Sequence, residues 1–174
     1  MTRRNRKYTL RDHIIPLIGI LLLIGFGCLA KTLMTPIDSA TDTQVWDVAV
    51  AHGYSPYYLT DEYKEEYPTR GFVQTIAFVK DDLRFEFFVF DSVQSALSAN
   101  RSIATEVNSI ERANYGNCVG TDESRANFYV RTLRADGKYY YLMRIDNTVF
   151  YAYGNEEYAD EIKSIAKELG YVGD

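Results

Sequence analysis

Residues 72–90 read FVQTIAFVKDDLRFEFFVF. Two alternating runs flank Asp81-Asp82. In the first, Phe72, Gln74, Ile76 and Phe78 oppose Val73, Thr75, Ala77 and Val79. In the second, Leu83, Phe85, Phe87 and Val89 oppose Arg84, Glu86, Phe88 and Phe90. A period of two marks a strand, and a polar two-residue break between two such runs predicts an antiparallel hairpin. Phe88 and Phe90 make the second face apolar as well, so this end of the hairpin is expected to be covered on both sides.

Downstream, Asp91 or Ser92 is a good N-cap. Val93, Ala96, Leu97, Asn100, Ile103, Ala104, Val107 and Ile110 then form a helical stripe broken only by Asn100. Residues 111–125 are polar, contain Gly116 and Gly120, and read as a long loop. Strands follow at 127–134, 138–145 and 148–153. They are joined at Asp136-Gly137, the best hairpin turn in the chain, and at Asp146-Asn147. Tyr139, Tyr141, Met143 and Ile145 share one face of the middle strand, and Tyr140, Leu142 and Arg144 the other. Asn155 is placed as the cap of a last helix with the stripe Tyr158, Ile162, Ile165, Ala166 and Leu169, ended by Gly170.

Upstream, Thr41-x-x-Gln44 is a capping-box pattern for a helix over 43–52, which Gly53 ends. Residues 54–59 read as a short strand broken by Pro56, and 60–70 (TDEYKEEYPTR) as a polar loop with at most one helical turn. Gly53-Tyr54 and Gly170-Tyr171 are alike: each pairs a left-handed Gly with an aromatic that packs back on the last turn. Every strand-to-strand link is tight, so the sheet is antiparallel. The expected fold is α+β, a two-layer sandwich of an antiparallel sheet of five to six strands with three helices on one face.

The N-terminus is of another kind. Residues 14–30, IIPLIGILLLIGFGCLA, hold no charge, and Thr32, Leu33 and Met34 extend the run. Seventeen helical residues reach about 25 Å, enough for a short membrane span. Arg3, Arg4, Arg6, Lys7 and Arg11 precede it and only Lys31 follows closely. This charge bias keeps the N-terminus in the cytoplasm. The expected organisation is a basic cytoplasmic tail at 1–13, a transmembrane helix at 14–34, a linker at 35–42 and an extracytoplasmic α+β domain at 43–174. The lipid bilayer is thus a partner through 14–34. A cleaved signal peptide is the rival reading, with Cys28 and Ala30 at −3 and −1 of a cut. Cys28 also raises a lipoprotein, although Gly25 stands where Leu is wanted.

Residues 32–174 carry 13 Lys+Arg and 23 Asp+Glu, a net of −10. Such a surface disfavours nucleic acid and anionic lipid headgroups. Cys118 is alone outside the apolar run, which excludes a disulfide scaffold. The segments GY (53–54), FEFFVFDSVQSA (85–96), RIDNTVFYAY (144–153) and IKSIAKELGY (162–171) resemble small single-pass exported proteins of Gram-positive bacteria. These pair one N-terminal membrane helix, a signal-anchor, with an uncharacterised α+β domain. The resemblance spans about residues 43–171. It implies a location at the cell membrane and brings no catalytic residue.

No chemistry-bearing motif stands out. His52 sits at a helix end, where a protonated imidazole complements the dipole, and a Cys–His pair would need it to meet Cys118. Acidic groups at Glu156, Glu157, Asp160 and Glu161, and at Asp61, Glu62, Glu65 and Glu66, lack the alternating ligands and Gly of a calcium loop. There is no phosphate-cradling Gly loop, GxSxG or HExxH. No catalytic, cofactor-binding or metal residue is therefore assigned. The unusual feature is tyrosine, fifteen in all. Tyr139, Tyr140, Tyr151 and Tyr153 fall on adjacent strands; side chains alternate, so each face should carry Tyr, and a face left uncovered by helices would show an aromatic patch for a sugar ring or a protein partner. Arg131, Arg134 and Arg144 would flank that patch and accept a carboxylate. The expected function is a membrane-anchored, non-catalytic binding module for a protein or cell-wall partner. A cell-surface hydrolase using carboxylates and a structural subunit of a membrane complex are the alternatives.

Overall fold

The computed structural model describes residues 36–125 and 127–171. The basic tail and the apolar run assigned to the membrane lie outside these residues. Among the described residues no helix is long and apolar enough to cross a membrane.

The elements are α1 (Asp42–Ala51), β1 (Tyr57–Tyr58), α2 (Thr60–Glu66), β2 (Phe72–Lys80), β3 (Leu83–Phe90), α3 (Val93–Ala113), β4 (Cys118–Ser124), β5 (Phe128–Ala135), β6 (Lys138–Ile145), β7 (Thr148–Asn155), a 3₁₀ turn (Glu156–Tyr158) and α4 (Ala159–Glu168). The fold is α+β with one antiparallel sheet of seven strands in the order β1-β2-β3-β7-β6-β5-β4. All three hairpin turns fall where expected. Asp81, Asp136 and Asp146 take φ of 54°, 52° and 46°, a region Asp enters more readily than most residues because its short side chain bonds locally.

The two-layer expectation is corrected, because helices cover both faces. On one face α1 and α4 bury Val45, Ala49, Ile162, Ile165 and Ala166 against Phe78, Phe85, Phe87, Tyr141, Met143 and Phe150. On the other, α3 buries Ala96, Ala99 and Val107 against Phe88, Phe90, Leu133, Leu142 and Val149. The cause is the double-sided apolar character of β3, β6 and β7, which leaves neither face fit for water. Strand and helix counts rise to seven and four. Residues 118–124 of the expected loop form edge strand β4, residues 111–113 continue α3, and 60–66 form α2. Only Tyr57–Tyr58 of the expected strand over 54–59 pairs.

Helix ends follow the chemistry read from the sequence, with one exception. Thr41 and Gln44 form the full capping box, and the Ser92 hydroxyl accepts from Ser95 N. Asn155 does not cap α4; its side chain donates to Asp82 at 2.9 Å, and the 3₁₀ turn starts α4 instead. Gly53 and Gly170 stand at φ 80° and 77°. The next residue then bonds five back in both helices: Tyr54 N to Ala49 O at 2.9 Å and Tyr171 N to Ala166 O at 2.7 Å. Both tyrosine side chains turn into the core. Residues 36–41 of the expected linker carry no regular structure, yet they are docked: Asn127 accepts from Ile37 N at 3.1 Å and donates to Ile37 O at 2.8 Å.

Tyr171 closes the core. It has no exposed surface, its hydroxyl lies 2.5 Å from Thr148 Oγ1, and its carbonyl accepts from the Tyr141 hydroxyl. Thr148 Oγ1 is committed as a donor to Ile145 O, so Tyr171 is the donor of its pair. Tyr171→Phe is expected to cost about 1 kcal/mol through that bond. Tyr171→Ala is expected to cost about 3–5 kcal/mol through the cavity. Chemical denaturation of the two variants measures the difference.

Candidate functional site

The tyrosines named as site residues divide between the two faces, as their alternation along the strands requires. Tyr139 lies under α4 and is 2 % exposed. Tyr140, Tyr151 and Tyr153 lie on the α3 face, where Tyr151 is 7 % exposed and the other two are half-buried. Two of the three arginines named as flanks, Arg131 and Arg144, are used inside the fold. Arg131 pairs with Glu111 of α3 at 2.5 Å. Arg144 is buried and donates to the carbonyls of Asn127 and Asp146 at 3.1 Å each, and its burial lowers its pKa. The expected open patch is therefore corrected to a partly covered one, since α3 lies across it.

What α3 leaves uncovered is a cleft of about 270 Å³ between α2, α3 and strands β2, β3 and β7. The register builds it. Glu86 on β3 stands opposite Tyr151 on β7, and the next row places Arg84, Tyr153 and Tyr140 side by side. Tyr140 stacks on Tyr153 with centroids 6.3 Å apart, and Tyr151 meets Tyr153 at 5.3 Å. From the other side α2 brings Tyr63 edge-on to Phe72 and Phe88, at 5.2 and 5.4 Å, and Tyr67 beyond it. Tyr63, Tyr67, Phe72, Phe88 and Tyr151 all line the cleft. Tyr67 is 40 % exposed and forms part of its rim.

A charged pair sits among these rings. Glu86 has a side chain only 9 % exposed. Its Oε1 accepts from Arg84 Nη2 at 2.6 Å, Arg84 Nε at 3.0 Å and the Tyr63 hydroxyl at 2.8 Å. Its Oε2 accepts no hydrogen bond among the described residues, and neither does the Tyr151 hydroxyl. Arg70 and Glu106 add one charge of each sign to the lining. Burial, and then the Glu86 carboxylate, hold the Tyr63 phenol far above its ordinary pKa. Burial does the same to Tyr151, with Glu106 adding to it. Both groups are therefore neutral hydroxyl donors at physiological pH. The cleft offers aromatic faces, two hydroxyls, a carboxylate and rim charges that cancel. That is an environment for a neutral, hydroxyl-bearing ring.

Sequence reasoning missed Tyr63, Tyr67, Phe72 and Glu86 as site residues. The signal for Glu86 was its place within FEFFVF, an acid flanked by aromatics on a strand apolar on both faces. Tyr63 and Tyr67 have helical spacing within TDEYKEEY, and this was hidden by the polar residues around them. Among the described residues no group of His, Cys, Asp and Glu could hold a metal ion. His52 has a structural place, joining the ends of α1 and α4 through Glu168 at 2.9 Å.

Removing one member of a buried charge pair leaves the other uncompensated. Arg84→Met is therefore expected to destabilise the fold by about 3 kcal/mol. The double variant Arg84→Met/Glu86→Gln is expected to recover more than half of that loss. Urea denaturation of the single and double variants measures it, and a loss for the single variant of less than about 0.5 kcal/mol would mean an ordinary surface pair.

No protein-family model and no curated protein matches the chain. Two solved structures are similar to it at low identity. A GTP-binding regulator from Thermotoga maritima has a TM-score of 0.43 and 11 % identity, covering 81 % of this chain and 96 % of the other. The extracellular domain of PknH from Mycobacterium tuberculosis has a TM-score of 0.37 and 10 % identity, covering 78 % and 96 %. At these scores the likeness transfers neither ligand nor activity.

Proposed function

We propose that the chain is a membrane-anchored, extracytoplasmic binding module, non-catalytic, whose ligand sits in the aromatic cleft. The supporting observation is Glu86, a carboxylate buried among aromatic rings that lines the cleft and takes its hydrogen bonds from Arg84 and Tyr63 on one oxygen. An aromatic wall stacks on the apolar face of a sugar ring, while carboxylate, hydroxyl and guanidinium groups exchange hydrogen bonds with its hydroxyls. Room of about 270 Å³ suits one ring of a longer glycan better than a folded protein surface. A cell-wall glycan is the ligand class this supports. Location rests on the apolar run at 14–34 with its basic N-terminal flank, and on the resemblance to exported single-pass proteins of Gram-positive bacteria.

Tyr67→Ala removes a rim ring from an exposed position, so it is expected to weaken binding to purified cell-wall glycan at least about tenfold, or 1.4 kcal/mol. Its unfolding midpoint should change little. Sedimentation of the full chain in nanodiscs with insoluble wall material measures the first, and a thermal melt the second. Wall binding that is absent, or unchanged by Tyr67→Ala, counts against the cleft. Location is tested separately. The full chain should fractionate with membranes, and protease added to wall-stripped cells should digest residues beyond the anchor while sparing 1–13. Recovery from the soluble cytosol would refute the anchor.

A second reading, a carboxylate hydrolase, is favoured by one observation: Glu86 and Glu106 line the same cleft. It predicts release of reducing ends from wall glycan, abolished by Glu106→Gln. Binding without release supports the module.

A further inference from the structure

We infer a second binding site on the opposite face, a cationic groove that takes a carboxylate-bearing ligand. The groove has a volume of about 660 Å³ and lies where β4, β5 and β6 run out beyond α4. Its floor is Val130, Thr132, Tyr139 and Tyr141, and its wall on α4 is Lys163 and Lys167. Here α1 and α4 leave the sheet uncovered, and Val119 on the edge strand is 69 % exposed.

Positive charge is gathered here by an aromatic ring. The guanidinium of Arg134 lies 5.3 Å from the centroid of Tyr139, and the ammonium of Lys163 lies 5.7 Å from it. A ring face attracts cations, so Tyr139 draws two of them to one spot despite their repulsion. Their compensation is uneven. Arg134 meets Glu156 at 2.5 Å. Lys163 has only Asp160, at 3.8 Å and with its side chain 98 % exposed, a pair that water screens. Lys167 has no ion pair among the described residues. Two acids also line the groove: Glu123 is engaged by Arg125, and Asp122 stands in register with Arg131, whose partner Glu111 belongs to the α3 face. A domain of strongly negative sign thus keeps two weakly compensated lysines along one wall of a pocket.

The chemistry of the walls selects among anions. Phosphate sites are most often built on backbone N–H groups at a helix start or on bidentate arginine forks, with lysine added as a point charge. This groove has neither: its one arginine is already paired, and its lysines lie in the middle and last turns of α4. Ammonium groups in a groove lined by Tyr139, Tyr141, Val119 and Val130 suit an anion carried on a hydrocarbon body. Lys163 and Lys167 are one helical turn apart, so they face two carboxylates spaced about 6 Å apart. This site is separate from the aromatic cleft, since Tyr139 and Tyr140 point to opposite sides of β6.

The test uses the full chain in nanodiscs of zwitterionic lipid, with tetraglutamate and inorganic triphosphate as probes at pH 7. Tetraglutamate is expected to bind and to shift the side-chain NMR signals of Lys163 and Lys167. Lys163→Gln/Lys167→Gln, both at exposed positions, should weaken it at least about tenfold. Raising the salt should weaken it further. Tyr67→Ala, in the other site, should leave it unchanged. Failure of tetraglutamate to bind, binding indifferent to the two lysines, or tighter binding of triphosphate would each overturn the assignment. None of these results bears on glycan binding in the cleft.

Discussion

Strand β3 can turn neither of its faces to water. Leu83, Phe85 and Phe87 point one way, Phe88 and Phe90 the other, and all five are buried. Its neighbours repeat the pattern: β7 buries Phe150 on one side and Val149 on the other, and β6 buries Met143 and Leu142. A sheet whose centre is apolar on both sides needs helices on both sides. This explains why α3, the 21-residue helix leaving β3, crosses to the second face while α1 and α4 share the first. It also explains the helix ends, because α1 and α4 must stop where their Gly-Tyr caps return an aromatic to the core.

Both candidate sites arise from incomplete coverage. Three helices cannot roof seven strands, and α2 is a short fourth piece at the β1–β2 edge. On the second face, α3 covers Leu133, Leu142 and Val149 but leaves the row Arg84–Tyr153–Tyr140 partly open. On the first, α4 ends its cover at Tyr139 and Tyr141, and β4 is left with side chains almost wholly in water. Tyrosine suits such borders because it brings a buried ring and a wet hydroxyl. The concentration of tyrosine on β6 and β7 is thus the mark of a boundary between roofed and open sheet.

How much of this could be read in the sequence depended on whether a signal was local. Turn residues acted within four positions, so Asp81-Asp82, Asp136-Gly137 and Asp146-Asn147 placed three hairpins correctly, and Thr41/Gln44 placed a helix start. Strand β4 failed because CVGTDES has no alternation: an edge strand with both faces in water has nothing to alternate for. The number of layers failed differently. Phe88 and Phe90 carried the evidence for a second covered face, but a two-residue cue was weighed against the simpler one-faced sandwich. For the sites, side-chain direction along β6 was legible and coverage was not. Which tyrosine α3 reaches depends on the angle at which it crosses the sheet, and no local pattern encodes that. Glu86 lay further still from view, since its partners Arg84 and Tyr63 meet it only across β3 and α2.

The run Tyr139-Tyr140-Tyr141 shows why two sites can coexist on so small a domain. Successive side chains on a strand point to opposite faces, so three adjacent tyrosines become one ring for the cleft side and two for the groove side. Their chemical surroundings then diverge. Tyr140 stacks on Tyr153 near the Arg84–Glu86 pair, where charges cancel. Tyr139 sits against two cations, Arg134 paired with Glu156 and Lys163 offset only by an exposed Asp160. The same residue type therefore makes a neutral stacking surface on one face and a cation platform on the other, and the difference is supplied by neighbours on β3, β5 and α4. Because β6 lies between β7 and β5 and is hydrogen-bonded to both, it is a stiff partition between the two. Ligand on either face meets a preformed wall, and occupancy of one site need not move the other.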